Sequence, residues 1–292
     1  MIINKIDIKR EQSFRSSASL SSKTYKQIGQ DSAEYIKYCY GMLRKSCNNT
    51  VEVNVESGRL MDIVNLKEPA IFIMNHTGNA MRDIQSAKFF NTLLYREYVY
   101  NGTSETAPRS KVFASENVLA SQPDGGEMYK WLGVIPIKAK MKGSKSKHNT
   151  QVISETVEQL RKGKINLFLF PEGVFCAFPF LPLSWKFQAG VSSIIKKVLE
   201  LRDKIKVIPL GFAHKKDLSS IHISKPIDFI KQDEKYKVSE EGELMTLMHN
   251  KKPIPASEII PYISGFLTKK LENARQKAKT ELKSSKNEVF EL

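Results

Sequence analysis

The sequence predicts an α/β fold, with a mostly parallel central sheet flanked by helices, an N-terminal amphipathic helix and a C-terminal amphipathic helix. Two observations support this fold class. Short apolar runs that are typical of buried strands alternate with segments in which apolar residues recur every three or four positions, as on one face of a helix. Such an alternation is typical of parallel sheets whose strands are connected by helices.

The chain is expected to have two parts. Residues 1–60 are predicted to form a polar lead-in and an amphipathic helix over residues 25–47. Residues 61–292 are predicted to form the α/β domain, which ends in an amphipathic helix over residues 257–283. Residues 231–257 are charged and lack apolar periodicity, which indicates a long surface loop.

Six strands and three further helices are expected within the α/β domain. Pro136 confines its strand to an edge or a bend of the sheet, because proline cannot donate to the ladder. The run over residues 165–170 is the strongest strand, and residues 207–210 are interpreted as purely structural. Strands are predicted at 70–74, 112–114, 133–137, 165–170, 207–212 and 221–223, and helices at 84–94, 152–160 and 191–199.

Composition limits the classes of partner. The 292 residues are 41% apolar, which suffices for a sizeable core, and the charge is +15 because 46 Lys and Arg oppose 31 Asp and Glu. This excess favours nucleic acid, an anionic membrane surface, or phosphorylated and CoA-like substrates. The lysines are spread along the chain without an aromatic and basic motif, which argues against a nucleic-acid partner.

The cysteines and the apolar stretches indicate a cytoplasmic chain. Cys39, Cys47 and Cys176 are odd in number and unpatterned, which argues against a disulfide framework and against a zinc site. No segment has the length and apolar character of a signal peptide or a spanning helix. We therefore expect neither a metal nor another cofactor, and we expect the chain to meet a membrane only at its surface.

The first candidate site follows the strand at 70–74. His76 comes directly after this strand, and Asp83 follows seven residues later. Sites in α/β sheets lie at the carboxyl ends of strands. An imidazole there can accept a hydroxyl proton, and a carboxylate on its other nitrogen fixes the tautomer and stabilises the imidazolium. The other four histidines lack partners at any familiar spacing and are expected to be surface or structural residues: His148, His214, His222 and His249.

Two further segments are expected at the same edge of the sheet. Proline ends the strongest strand and glycine allows a tight turn, so Glu172 and Gly173 should lie near His76. The segment that contains Lys186 leads into a helix beginning near Gly190, where free backbone N–H groups can receive an anion.

Together these segments resemble the glycerolipid acyltransferase family, whose best-known members acylate lysophosphatidic acid or glycerol 3-phosphate. The family carries an Asn-His-x4-Asp block, a Gly-x-Ile-Phe-Ile-x-Arg block, a Phe-Pro-Glu-Gly-Thr-Arg-Ser block and a Val-Ile-Pro strand. The counterparts here are Asn75-His76 with Asp83, then 133–137, 170–173 and 207–209, and the resemblance covers residues 70–213. The resemblance implies that His76 takes the proton of an acceptor hydroxyl, that Asp83 stabilises the imidazolium, and that Glu172 and Gly173 shape the acceptor site.

The sequence departs from this family pattern at three places. Six residues separate His76 from Asp83 instead of four, and a regular helix would place them about 10.5 Å apart, so the segment must loop at Gly78. Val174-Phe175-Cys176 replaces Thr-Arg-Ser, and Ala139 stands at the arginine of the second block. Because two phosphate-binding arginines are absent, we expect Lys138, Lys140 and Lys186 to meet phosphate or CoA anions.

The expected function is transfer of a fatty acyl group from an acyl-CoA or acyl-carrier-protein thioester to a lipid hydroxyl, at the cytoplasmic face of a membrane. The alternative is a non-catalytic peripheral membrane or lipid-binding protein on the same fold. In either case the +15 charge and the two terminal amphipathic helices are expected to contact an anionic bilayer. Tyr35, Tyr38 and Tyr40 in the first helix suit insertion at the interface, although both helices can instead pack on the core.

Overall fold

A ten-stranded mixed sheet with helices on both faces forms the body of the protein. The structure is a computed structural model that describes residues 27–30, 32–45, 50–56, 68–78, 80–121, 126–138, 147–172, 190–215, 218–240, 242–249 and 252–284.

One half of the sheet is parallel, in the order β4-β3-β5-β2-β6. Two adjacent inner strands of this half, β2 and β5, are buried along their whole length. This burial explains why their sequences are continuous apolar runs. The strand that contains Pro136, β4, ends the described order, as the proline predicted. The strands are β2 (Ala70–Met74), β3 (Arg109–Ser115), β4 (Val134–Ile137), β5 (Ile165–Leu169) and β6 (Lys204–Lys215).

The other half of the sheet is largely antiparallel, so the prediction of a mostly parallel sheet is not confirmed. The long strand β6 pairs antiparallel with both β7 and β8, and β8, β9 and β10 follow as a meander. β1 pairs parallel with β7 in this same sheet, although it precedes the predicted domain boundary at residue 60. The domain boundary itself stays a prediction. The strands are β1 (Thr50–Val55), β7 (Leu218–Ile223), β8 (Ile227–Gln232), β9 (Lys235–Glu240) and β10 (Glu243–Thr246).

The prediction of a surface loop over residues 231–257 was wrong. Asp233 and Glu234 have φ values of 51° and 57° and form a two-residue hairpin turn between β8 and β9. Tyr236 and Val238 point from β9 into the core between polar neighbours. The alternation was too short and too rich in lysine and glutamate to stand out as a strand.

Helices cover both faces of the sheet. Along β2, Ile71 and Ile73 face one apolar cluster, and Ala70, Phe72 and Met74 face another, as the two-residue period of a strand requires. The first cluster includes side chains from α5, α6 and α7, and the second includes side chains from α1 and α2. The helices are α1 (Ala33–Lys45), α2 (Ala80–Tyr100), α3 (Glu116–Ala120), α4 (Glu127–Trp131), α5 (Lys147–Arg161), α6 (Gly190–Leu201) and α7 (Ile259–Ser284).

The two terminal helices bury apolar side chains in the core rather than presenting them to a bilayer. In α1, Tyr35 and Ile36 are fully buried, and Tyr38 packs against the same cluster. In α7, Ile263 and Leu267 are fully buried against the sheet. Among the described residues, no helix combines the length and the apolar character needed to cross a membrane.

Helix α7 runs along β6 towards the carboxyl end of that strand. Apolar side chains of its first half share a core cluster with Ile205, and Ala278 in its second half clusters with Ala213. The approach is close because Gly211 has no side chain: a Cβ there would lie 2.0 Å from the carbonyl oxygen of Ala274. The C-terminal half of α7 therefore reaches the edge of the sheet at which β2 also ends.

Candidate active site

The loop after β2 brings His76 and Asp83 together. β2 ends at Met74 and α2 begins at Ala80, and Gly78 between them has a φ of 89°, which favours glycine. His76 Nδ1 lies 3.1 Å from Asp83 Oδ2. The predicted loop is thus present at Gly78, and it closes a contact that a continuous helix would not make.

Asp83 is buried and accepts hydrogen bonds from several donors. The Thr77 hydroxyl donates to Oδ1 at 2.6 Å, and the Thr77 backbone N–H lies within 3.2 Å of both carboxylate oxygens. Burial raises the pKa of Asp83, but hydrogen bonds from His214, His76 and Thr77 outweigh it and hold the pKa below its usual value. The carboxyl group is therefore ionised at neutral pH.

The ionised carboxylate fixes the tautomer of His76. Since an ionised carboxylate can only accept, Nδ1 carries the proton in the neutral ring. Nε2 is then the basic nitrogen. The His76 ring stacks on Phe170, with centroids 4.2 Å apart and planes 9° apart, which holds the ring in one orientation.

His214 has two partners in the structure, although no familiar sequence spacing indicated either of them. His214 Nε2 lies 3.3 Å from Asp83 Oδ1, and its Nδ1 lies 2.8 Å from the Ser219 hydroxyl. By the same reasoning, Nε2–H donates to Asp83 and the Ser219 hydroxyl donates to Nδ1. Residues 207–210, interpreted as purely structural, belong to the longer strand β6, and the end of β6 places His214 against Asp83. The sequence separation of 131 residues left no local signal for this contact.

Two buried polar side chains hold the backbone around His76. The Asn75 amide accepts from the Phe212 backbone N–H at 2.7 Å and donates to the Phe212 carbonyl at 3.1 Å, which fastens the end of β2 to β6. Glu172 Oε1 accepts from the His76 backbone N–H at 3.1 Å. The predicted proximity of Glu172 to His76 is thus present, while Asn75 was quoted in the motif without a role.

A cavity of about 530 Å³ opens beside His76. One side is formed by His76, Thr77 and the end of β6 from Phe212 to Lys215. The other side is formed by the C-terminal half of α7. Five cationic side chains line this cavity: Arg82, Lys215, Arg275, Lys279 and Lys283.

Comparison with known proteins identifies the family. The family model described as "Acyltransferase" matches residues 51–213, which is more than half of the chain. The chain belongs to the acyltransferase family. No curated protein and no solved structure shows a significant match to the chain. Family membership confirms the resemblance on which the four motif blocks were interpreted, and it supports an acyltransferase activity. The matched segment of this acyltransferase ends at Ala213, so His214 and the α7 side of the cavity lie beyond it.

Two other predicted site residues, Lys138 and Gly190, are described by the structure and do not line the cavity. Lys138 is exposed at the end of β4, three strands from β2 and therefore about 14 Å away across the sheet. Gly190 is exposed at the start of α6. Lys140, Gly173 and Lys186 lie outside the described residues. Within the part of the chain that the structure describes, no cluster of His, Cys, Asp or Glu is placed to hold a metal ion.

Proposed function

We propose that this acyltransferase moves a fatty acyl group from an acyl-CoA or acyl-carrier-protein thioester to the hydroxyl of a glycerolipid or lyso-lipid. The observation that carries the proposal is the His76–Asp83 contact at the mouth of a cavity, within the segment that matches the family. A base oriented by a carboxylate and open to a substrate-sized cavity is what hydroxyl activation requires.

The proposed reaction needs no covalent acyl-enzyme. Nε2 of His76 takes the hydroxyl proton of the acceptor as the oxygen attacks the thioester carbonyl. Asp83 stabilises the imidazolium that forms, as a buried carboxylate does in other histidine-based sites. The tetrahedral intermediate then expels the thiolate, which receives the proton from Nε2. The products are an ester and a free thiol, and His76 returns to its starting state.

Glu172 serves this reaction by holding the backbone of His76, and the segment that follows it, including Gly173, is proposed to border the acceptor. Both terminal helices pack apolar side chains on the sheet, so the proposed route to a lipid is attraction between the +15 charge and an anionic bilayer. Co-sedimentation with anionic vesicles, retained at low salt and lost near about 1 M salt, tests this route.

The activity is tested on the purified full chain, with a labelled acyl-CoA or acyl carrier protein and a panel of lyso-lipids. We expect an ester product with the wild type, and a loss of about a hundredfold or more in the His76→Ala variant. His148→Ala is the matched control, because this partly exposed histidine on α5 lies outside the cavity. Ester formation at equal rates by the wild type and His76→Ala would contradict the mechanism. The absence of any product from the wild type would favour the non-catalytic alternative.

A further inference from the structure

The cavity beside His76 has an unbalanced charge. Five of its lining side chains are cationic, and no carboxylate is among the described residues that line it. One of the five, Arg275, is paired with Glu272, with Nη2 and Oε1 2.6 Å apart. Lys215, Lys279 and Lys283 have no carboxylate at ion-pair distance among the described residues. The wall therefore carries a net positive charge next to the proposed base.

The arrangement of the α7 cations is regular. Arg275, Lys279 and Lys283 are spaced four residues apart, so they lie on one face of the helix, one turn above another. Gly211 lets this helix approach the backbone of β6, which places that face over the carboxyl end of the strand. Lys215 and Arg82 approach the same space from β6 and from the first turns of α2.

The cations on α7 lie close enough to affect one another. Partial burial lowers the pKa of Lys279, and the neighbouring cations Arg275 and Lys283 lower it further, against the opposing effect of Glu272. A simpler explanation is that cations near the end of a helix only complement its dipole. That dipole amounts to about half an elementary charge and acts within the last turn. It does not explain why Arg82 and Lys215, from other elements, converge on the same space.

We propose that the wall formed by Arg82, Lys215, Arg275, Lys279 and Lys283 is a phosphate-binding subsite for a substrate of this enzyme. The proposal rests on the proposed function, because that function places the cavity next to the reacting hydroxyl. Lysine ammonium groups bind phosphate as point charges, and a fixed guanidinium adds directional donors. The phosphate belongs either to the CoA of the acyl donor or to the headgroup of the acceptor.

The wall also accounts for a departure from the family pattern. Two arginines of the family's motif blocks are absent here, and Lys138, one of the three lysines expected to replace them, lies three strands away from β2. The cations of α7 lie beyond the matched segment 51–213 and supply positive charge from a different part of the chain.

The test measures equilibrium binding by calorimetry, without turnover, on the full chain. The probes are CoA and glycerol 3-phosphate, with pantetheine and glycerol as their phosphate-free counterparts. The cavity variant combines Lys215→Gln, Lys279→Gln and Lys283→Gln. The matched control combines Lys235→Gln, Lys252→Gln and Lys269→Gln, three exposed lysines outside the cavity that remove the same charge.

We expect the cavity variant to weaken binding of at least one phosphate-bearing probe by about tenfold, which corresponds to ~1.4 kcal/mol. The control variant should stay within about twofold of the wild type, since distant exposed charges are largely screened. Weakening for CoA alone assigns the phosphate to the donor, and weakening for glycerol 3-phosphate alone assigns it to the acceptor.

Equal effects of the two triple variants would overturn the subsite, as would wild-type protein that binds neither phosphate-bearing probe. Because no ester is formed in this assay, its outcome is independent of the His76→Ala comparison. Normal phosphate binding by a protein without transfer activity would retain the subsite and remove the proposed reaction. If the cavity variant kept both its transfer activity and its phosphate binding, the proposed reaction would be retained and the subsite would be removed.

Discussion

Two histidine–carboxylate clusters in this molecule have similar chemistry and different surroundings. In the first, His76 contacts Asp83 and lines the cavity. In the second, His222 Nδ1 lies 2.7 Å from Glu281 Oε1, and Nε2 lies 3.7 Å from Glu56 Oε2. The second cluster joins β7, α7 and the residue after β1, and neither His222 nor its two carboxylates lines the cavity.

The different surroundings of His76 and His222 show how a histidine that can act as a base differs from one that is held as a structural cation. Burial lowers the pKa of His222, but hydrogen bonds and charge from Glu281 and Glu56 outweigh it, so the pKa is raised. With carboxylates facing both nitrogens, the ring is stabilised as a cation and has no basic nitrogen to offer. His76 has a carboxylate on Nδ1 and a cavity beside its ring. A histidine beside a carboxylate is therefore a candidate base only when its second nitrogen can reach a substrate.

The largest expected effect comes from neutralising one carboxylate in each cluster. Asp83→Asn should lower kcat by about a hundredfold or more, because the amide cannot stabilise the imidazolium. The same change should alter KM much less, since it acts on proton transfer. Glu281→Gln is the matched variant and should leave kcat within about twofold while lowering the melting temperature. Steady-state kinetics and thermal unfolding of both variants provide the measurement.

Two results with these variants would contradict the roles assigned to the clusters. If Glu281→Gln lowered kcat as much as Asp83→Asn, the second cluster would not be merely structural. If Asp83→Asn kept the wild-type kcat with a native near-ultraviolet circular dichroism spectrum, the assignment of His76 as an oriented base would fail.

The sequence could predict the first cluster because its parts are local. His76 and Asp83 are seven residues apart and follow an unmistakable apolar strand, and Gly78 signals the turn that their contact needs. Glu172 was predictable for a related reason, since its strand is equally apolar and parallel strands end at one edge.

The sequence could not predict the other side of the site because its contacts are long-range. His214 meets Asp83 across 131 residues, and the α7 cations reach the cavity only because Gly211 admits the helix. In the sequence, Gly211 lies in the middle of an apolar strand, and Arg275 and Lys279 belong to a lysine-rich helix end. The four-residue spacing of the cations was visible, but the surface that it faces depends on the packing of α7 against β6.

The next largest effect should come from Gly211→Ala, which affects α7, the helix that lines the cavity beside the first cluster and carries Glu281 of the second. The new Cβ would meet the Ala274 carbonyl at 2.0 Å, so α7 must shift or the strand must bend. Overpacking of this kind costs about 2 kcal/mol or more of unfolding free energy. Gly265→Ala is the control, because a Cβ added to this exposed α7 glycine would meet no atom within 4 Å and should add about 0.5–1 kcal/mol of stability. Denaturant unfolding of the two variants gives both numbers, and equal stabilities would show that α7 does not depend on Gly211.

A smaller effect on turnover is expected from His214→Gln, which tests whether His214 belongs functionally to the first cluster. His214 touches Asp83 and acts as a positioning residue, so its loss removes one hydrogen bond to a charged acceptor. We expect kcat to fall about tenfold with little change in KM. Ser219→Ala, which removes only the partner of His214 Nδ1, should cost less. A larger fall with Ser219→Ala than with His214→Gln would contradict the proposed order of contacts from Ser219 through His214 to Asp83.

The smallest effect tests the second cluster by its pH dependence. The pKa of His222 is raised in the folded protein, so its stabilisation is fully present below the unfolded value of about 6.5 and is lost as pH rises through the folded value. The melting temperature of the wild type should therefore exceed that of His222→Gln by about 2 °C at pH 6, and this difference should shrink by pH 9. Measurements should stay above pH 5, because the pKa of Glu56 is lowered to about 2 and its own contribution is lost in acid. A difference that grows from pH 6 to pH 9 would mean that His222 is held neutral, and the contrast between the two clusters would lose its physical basis.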